Sequence, residues 1–458
     1  MSFPRYPSYR DSGVAWLGEV PGHWETWKVA HAFGSIGSGT TPPSSEDHWY
    51  DNGTIPWVTT GELRENVISE TSKSVTSAAL EKFPALRVHP AGSLVVAMYG
   101  ATIGRLGILG VDATTNQACC VLSDPKHLDI AFTYYWLQGF KRIIIDLFSS
   151  GGGQPNINQD IVSGLHVPAP GLPEQKAITT FLDRETAKID ALVVEQENLI
   201  GLLKEKRQAV ISHAVTKGLN PSVPMKDSGV EWLGEVPAHW PVGKCGFYVS
   251  VLSGFAFPSS GFKTDENATK LLRGVNVGIG RLKWDETVYW NRVEGDGLDA
   301  YQMSAGDLVI GMDRPLIADG MRVSRVKESD LPCLLLQRVA SLQTNERLMS
   351  DYLFQLLASD MFVAHFEPET TGVSVPHISP EQIKNFLVPI PPVEEQKAIC
   401  DAITTAHEQF DALIAEAQSA INLLQERRTA LISAAVTGQI DVRGAVEEPA
   451  DTRIPTDV

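Results

Sequence analysis

The chain contains itself twice, and this repeat limits what it can fold into more than any other feature. Asp11–Trp24 (DSGVAWLGEVPGHW) returns as Asp227–Trp240 (DSGVEWLGEVPAHW), 216 residues later, with changes only at Ala15/Glu231 and Gly22/Ala238. Pro155–Ile178 returns as Pro376–Ile399, 221 residues later, and Leu202–Gly218 matches Leu423–Gln439. Solenoid repeats run about 20–50 residues, so a period this long means a duplicated domain pair. A chain of 458 residues is also too long for one ordinary core.

The matched ends enclose divergent middles. Ala91–Leu109 (AGSLVVAMYGATIGRLGIL) aligns with Ala305–Val323 (AGDLVIGMDRPLIADGMRV), where similar strand-like starts give way to unlike loops. One scaffold carrying two different inserts suits recognition of two different things.

Each copy ends in a helical stretch. Pro173-Glu174-Gln175 is a favourable start, with proline at the first helical position and an acid at the positive end of the dipole. The stretch to Val215 holds no further proline and one glycine, Gly201. Its apolar positions, Ile178, Leu182, Ile189, Leu192, Leu199, Leu203 and Val210, read as a heptad seam. The second copy offers Ile399, Ile403, Phe410, Leu413, Ala417, Leu424 and Leu431. About 44 residues at 1.5 Å each give a rod of roughly 65 Å. Each helix packing on its own domain would explain the pattern too. The length of the seam, and Ala417, Ala420 and Ala434 within it, favour two antiparallel helices packed as a coiled coil.

Residues 1–171 and 227–392 read as mixed α/β (α+β) domains: Ser93–Ala97 and Asp307–Gly311 look like strands, and Ile130–Phe148 and Met349–Phe366 like helices. The expected layout is a domain over 1–171, a helix over 172–219, a linker over 220–226, a second domain over 227–392, a helix over 393–440 and a flexible tail over 441–458.

Several loops have the composition of a nucleic-acid surface. Arginine pairs with guanine and Asn or Gln with adenine through paired hydrogen bonds in the major groove. The first domain offers Thr40, Thr41, Tyr99, Thr102, Arg105, Asn116, Gln117 and Gln154. The second offers Arg273, Asn276, Arg281, Arg314, Arg322, Gln337, Arg338, Thr371 and Ser374. A turn or a solvated arginine explains any one of them equally well; the set is what points to base reading. Trp16, Trp24, Trp232 and Trp240 repeat unchanged beside divergent inserts, as core anchors would.

Nothing in the sequence asks for catalysis. No phosphate-binding Gly-x-x-x-x-Gly-Lys-Ser/Thr, no Gly-x-Gly-x-x-Gly and no Gly-x-Ser-x-Gly occurs. Asn220-Pro-Ser-Val223 lacks the second proline and the aromatic of an adenine methyltransferase loop. Glu174-Gln-Lys176 and Glu395-Gln-Lys397 mimic a nuclease motif but stand at duplicated helix starts, where capping explains them better. The five cysteines form no Cys-x-x-Cys pair, which argues against zinc or a disulfide framework. No apolar run of about 18 residues appears, so a cytoplasmic protein without membrane contact is expected.

Charge is the awkward observation. The net charge is −17, whereas phosphate contacts need Lys and Arg. Residues 1–150 carry 11 basic and 14 acidic side chains, and residues 371–458 carry 6 and 13. Either the chain does not bind DNA, or it reads bases while a partner supplies most of the phosphate affinity.

These residues resemble the specificity subunits of type I restriction-modification systems. The carriers are the Trp-Leu-Gly-Glu-Val-Pro-x-His-Trp start of each half, Ile55–Glu62 (IPWVTTGE), Met98–Gly104 (MYGATIG) and Thr115-Asn-Gln-Ala118. The helix starts Pro173-Glu-Gln-Lys-Ala-Ile178 and its counterpart complete the set, with a departure at Val393-Glu-Glu-Gln-Lys. The resemblance adds Thr59 and Thr60 to the DNA-contact candidates. It implies a non-catalytic subunit with two tandem target-recognition domains, related by a pseudo-two-fold axis and separated by two antiparallel helices. It also implies double-stranded DNA, two modification (methyltransferase) subunits and restriction (translocase/nuclease) subunits as partners, in a bacterial or archaeal cytoplasm. No cofactor is expected on this chain; S-adenosylmethionine, ATP and Mg would belong to the partners. A coiled-coil scaffold would explain the helices but not the paired variable inserts, and a methylation-only system would look the same.

Overall fold

The structure, a computed structural model, describes residues 3–149, 156–317, 320–370 and 377–445. The chain divides into two compact units: Met1–Gln196 with Ser419–Val458, and Glu197–Gln418. Two long helices, Leu172–Lys217 and Val393–Val436, each contribute a segment to both units.

The first unit is built on strands β1 (Phe33–Ser38), β2 (Ile55–Val58), β3 (Asn66–Ile68), β4 (Leu94–Ala97), β5 (Leu106–Leu109), β6 (Thr114–Thr115) and β7 (Cys119–Pro125). The main sheet has the order β1-β7-β4-β5-β3, antiparallel except for the β3/β5 edge. β4 is apolar throughout because it is covered on both faces. Leu94 and Val96 enter one core while Val95 and Ala97 enter another, as the two-residue period of a strand requires. A short parallel pair, β2 with β6, lies beside this sheet in the chain order. Helix Ile130–Phe148 covers the larger core, its start capped by the Asp129 carboxylate on the Phe132 amide.

The second unit repeats the plan with β8 (Val249–Ser253), β9 (Thr269–Leu272), β10 (Leu308–Gly311), β11 (Val323–Arg325), β12 (Cys333–Leu335) and β13 (Val339–Thr344). Its sheet runs β8-β13-β10-β11, and β9 pairs in parallel with β12, as β2 does with β6. Leu308 and Ile310 face one core and Val309 the other.

Within each unit the two long helices run antiparallel. In the first, Ile178, Phe181 and Leu182 share a core with Ile432, Ala435 and Val436, while Asp190 bonds Arg428 at 2.9 Å. In the second, Ile211 and Val215 share a core with Ile399 and Ile403, while Arg207 bonds Asp411 at 2.8 Å. The two ion pairs are copies of each other, since Asp190 and Arg207 repeat as Asp411 and Arg428 at the 221-residue shift.

The seam differs in phase from the sequence reading. Leu192, Leu199 and Leu413 are exposed, at 45%, 42% and 47%, and Val210 and Phe410 are partly covered. The less exposed stripe continues from Ile189 through Val193, Gln196, Ile200 and Leu203 to Arg207, and from Phe410 through Ile414, Ala417, Ile421 and Leu424 to Arg428. After Ile189 the step is four rather than three, and Gln196 and Arg207 occupy seam positions that an apolar-only reading skips. Residues 441–445 correct the expected tail. Val442 is buried in the first core, the Asp441 amide donates to Pro4 O at 2.7 Å, and Arg443 lies over the Tyr6 ring.

The duplicated helix starts serve tertiary packing rather than capping alone. Glu174 accepts from Trp24 Nε1 at 3.3 Å, Tyr6 Oη at 2.8 Å and His23 at 2.9 Å; Glu395 accepts from Trp240 Nε1 at 3.0 Å and His239 at 2.9 Å. Gln175, wholly buried, accepts the Asp129 amide and donates to His127 O and Pro170 O. Gln396 does the same with Met349 N, Arg347 O and Pro391 O. Each buried amide joins three backbone groups, which is why the Glu-Gln pair repeats unchanged.

Candidate nucleic-acid interface

In the first unit, four chain segments meet at one rim. Gly39 follows β1 and lies so near β6 that a Cβ there would sit 1.7 Å from Thr115 O. This close approach sets the next residues beside the β6–β7 turn, where Thr41 Oγ1 donates to Gln117 Oε1 at 2.5 Å. The Asn116 amide donates to Val58 O, which ties the same turn to the end of β2. There Glu62 folds back on the Thr59 amide at 2.5 Å. Ala118 O accepts from the Met98 amide, joining the turn to the end of β4, and Tyr99 bridges to Asn156.

The second unit builds the same rim from different side chains. Gly254 stands where Gly39 does, with a Cβ position 2.2 Å from Leu336 O. Leu336 N donates to Leu272 O as Asn116 N does to Val58 O; Met312 N donates to Arg338 O as Met98 N does to Ala118 O. Asn276 folds back on the Arg273 amide at 3.0 Å, as Glu62 does on Thr59. Asp313 bridges to His377 as Tyr99 does to Asn156. These bonds equate Thr59 with Arg273, Gln117 with Gln337, Ala118 with Arg338, Tyr99 with Asp313 and Asn156 with His377.

The sequence-read candidates divide accordingly. Thr40, Thr41, Thr59, Thr60, Tyr99, Asn116 and Gln117 belong to the first rim, and Thr102 donates to Tyr99 O beside it at 3.1 Å. Arg105 follows on the same turn, leading into β5. Gln337, Arg338 and Arg314 are exposed at the second rim. Three assignments change. Asn276 is buried at 1% exposure and spends both amide ends on Arg273 N and Lys283 O, so it builds a turn rather than reading a base. Arg322 is a strut: Nε donates to Val277 O at 2.9 Å and Nη1 to Asp313 O at 3.0 Å, and burial lowers its pKa from the usual arginine range. Arg273 is tied to Glu286 through its backbone oxygen and its carboxylate. Arg281 lies at the exposed tip of the Val277–Leu282 hairpin, away from the direct rim bonds. Gln154, Thr371 and Ser374 lie outside the described residues.

Asp313, His377 and Asn156 are rim residues that the sequence reading missed. Their signal was in the repeat: Asp313 aligns with Tyr99 inside the quoted insert, and His377 with Asn156 next to the conserved Pro-x-Ile pattern.

All five cysteines are buried and reduced, and burial pushes each thiol up to about 12, which leaves thiolate scarce at neutral pH. Among the described residues no His, Cys, Asp and Glu group is arranged to hold a metal, and no helix is long and apolar enough to cross a membrane.

Comparison with known proteins gives one answer. The family model for the type I restriction modification DNA specificity domain matches residues 21–200 and again residues 289–423. The chain is 26% identical to the type I restriction enzyme MjaVIII specificity subunit of Methanocaldococcus jannaschii, over 93% of this chain and 94% of that one. Its fold is similar to a chain of a solved type I R-M system, with a TM-score of 0.68 at 14% identity, covering 92% of this chain and 99% of that one. It is also similar to the HsdS subunit from Thermoanaerobacter tengcongensis, with a TM-score of 0.52 at 16% identity over 92% and 98% of the two chains. A duplicated scaffold with two unlike rims and two long helices, matched twice by one family model, belongs to the type I restriction modification DNA specificity family: the chain is a non-catalytic specificity subunit with two DNA-recognition domains in tandem.

Proposed function

We propose that the chain reads a bipartite, asymmetric double-stranded DNA target, one half with each unit, and directs partner adenine methyltransferase and restriction subunits to it. The observation that supports this most is the substitution of side chains at equivalent rim positions: Ala118, Tyr99 and Asn156 against Arg338, Asp313 and His377. Equal backbone frames bearing unlike donors and acceptors present unlike patterns to base edges. The helix pair then sets the unspecified gap between half-sites, as dimer geometry sets spacing in other two-headed readers.

Partners complete the function. Two modification subunits carry S-adenosylmethionine and flip the adenine, and restriction subunits supply ATP-driven translocation and Mg-dependent cleavage; this chain carries none of these cofactors. The complex works in the bacterial or archaeal cytoplasm. The net charge of −17 fits a reader whose phosphate affinity comes from those partners. The lone subunit is therefore expected to bind DNA weakly and with strong salt sensitivity; tight specific binding in about 150 mM salt would contradict this. Mapping methylated adenines in DNA from cells with and without this gene tests the main reading. An interrupted motif with unlike halves is expected, and a palindromic one would refute it.

A further inference from the structure

Asp313, Arg338 and His377 come together on the second rim from three separate stretches of chain. Asp313 Oδ1 lies 3.2 Å from Arg338 Nη1 and 2.9 Å from His377 Nδ1. The Arg338 backbone is left-handed, at φ 73°, a conformation that costs a non-glycine residue, and its carbonyl is clamped by the Met312 amide at 2.9 Å. The side chain stays 56% exposed even though one corner of it is fixed. Among the described residues, Nε and Nη2 of Arg338 make no hydrogen bond.

We propose that Arg338 reads a guanine in the half-site contacted by the second unit, with Asp313 and His377 as positioning residues. This rests on the DNA-reading role above and assigns one position within it. Two parallel N–H donors of a guanidinium match the O6 and N7 acceptors of guanine. Reading that pair requires a guanidinium plane held still, and the Asp313 carboxylate supplies the hold from the opposite edge. The same carboxylate also argues against a phosphate role. It offsets the charge of Arg338 itself, with Arg314 exposed beside it, and leaves Nε and Nη2 of the fork unbonded among the described residues. The first rim has Ala118, Tyr99 and Asn156 at these places, so no equivalent arginine stands there.

The test uses the whole complex with its modification subunits, on a DNA library randomised at each target position. Variants are Arg338→Ala, Arg338→Lys and Asp313→Asn, each checked for assembly. Arg338→Ala is expected to lose roughly ten- to hundred-fold of preference for G·C at one pair in one half-site, with the other half-site unchanged. Arg338→Lys should recover part of that preference. Asp313→Asn should weaken preference at the same pair without changing the salt dependence. A uniform loss over all sequences with a shallower salt slope makes Arg338 a phosphate contact and overturns the assignment, as does unchanged preference in all three variants. A wild-type complex with no preferred sequence at all is a different failure, which removes the DNA-reading role itself.

Discussion

The two units agree where they must hold shape and differ where they must discriminate. Glu174 and Glu395, Gln175 and Gln396, Trp24 and Trp240, and the Asp190–Arg428 and Arg207–Asp411 bridges make matching bonds in both. At the rims the backbone bonds also match, yet Tyr99 faces Asn156 in one and Asp313 faces His377 in the other. A backbone frame fixed by close glycine approaches and main-chain bonds leaves its outward side chains free to change without cost to the core. This is how one fold can carry many specificities.

Replacing the buried glutamines tests the shared half of this comparison most severely. Gln175→Leu and Gln396→Leu each leave three backbone groups without their amide partner, one buried and two partly covered. At about 1–3 kcal/mol for a buried unsatisfied group, each unit should lose about 2–3 kcal/mol. Thermal unfolding of the two variants should show matched losses; a large loss in one unit only would break the equivalence.

The glutamates should sharpen it. Glu174→Gln and Glu395→Gln weaken charge-assisted bonds from tryptophan and histidine, and each should cost roughly 1–2 kcal/mol. Glu174 also holds Tyr6, which has no counterpart on Glu395, so the first unit should suffer more. Denaturant titration followed by tryptophan fluorescence would measure the gap.

Much of this was legible in the sequence. The long repeat announces the duplication, and strict repetition marks Trp24 as an anchor, whereas Glu174 and Gln175 read as helix capping and their bonds to Trp24 and to the backbone at Asp129, His127 and Pro170 come from the fold. The phase of the helix seam was not legible, because Gln196 and Arg207 sit on it while Leu192, Leu199 and Leu413 point outward. An apolar count favours leucines even where long polar side chains do the covering. Nor could composition separate an arginine strut such as Arg322 from a displayed one such as Arg338. That difference lies in which carbonyls and carboxylates the fold brings near them.

Smaller effects should follow the same symmetry. Arg207→Ala and Arg428→Ala remove exposed ion pairs, and each should cost only about 0.2–1 kcal/mol, equally in the two units. A difference well outside that range, measured by chemical denaturation, would mean that one bridge has no working twin.

The smallest expected effect is a pH dependence confined to the second unit's side of the seam. His407 stands where the first unit has Thr186, and burial, followed by the nearby Arg207 charge, lowers its pKa below the usual histidine value of 6.5. A lowered histidine favours the neutral form, so its contribution is present above pH about 6.5 and lost as pH falls through and below that value. His407→Thr should flatten the decline in stability as pH falls below about 6.5; an unchanged pH profile would remove this contribution.

Exchanging one recognition domain for that of a relative with a different target, and mapping the bases then methylated by the whole complex, tests the division of labour most directly. Replacing residues 227–392 should alter one half of the motif and leave the other half and the gap unchanged. If both halves changed, or neither did, the two rims would not be independent readers.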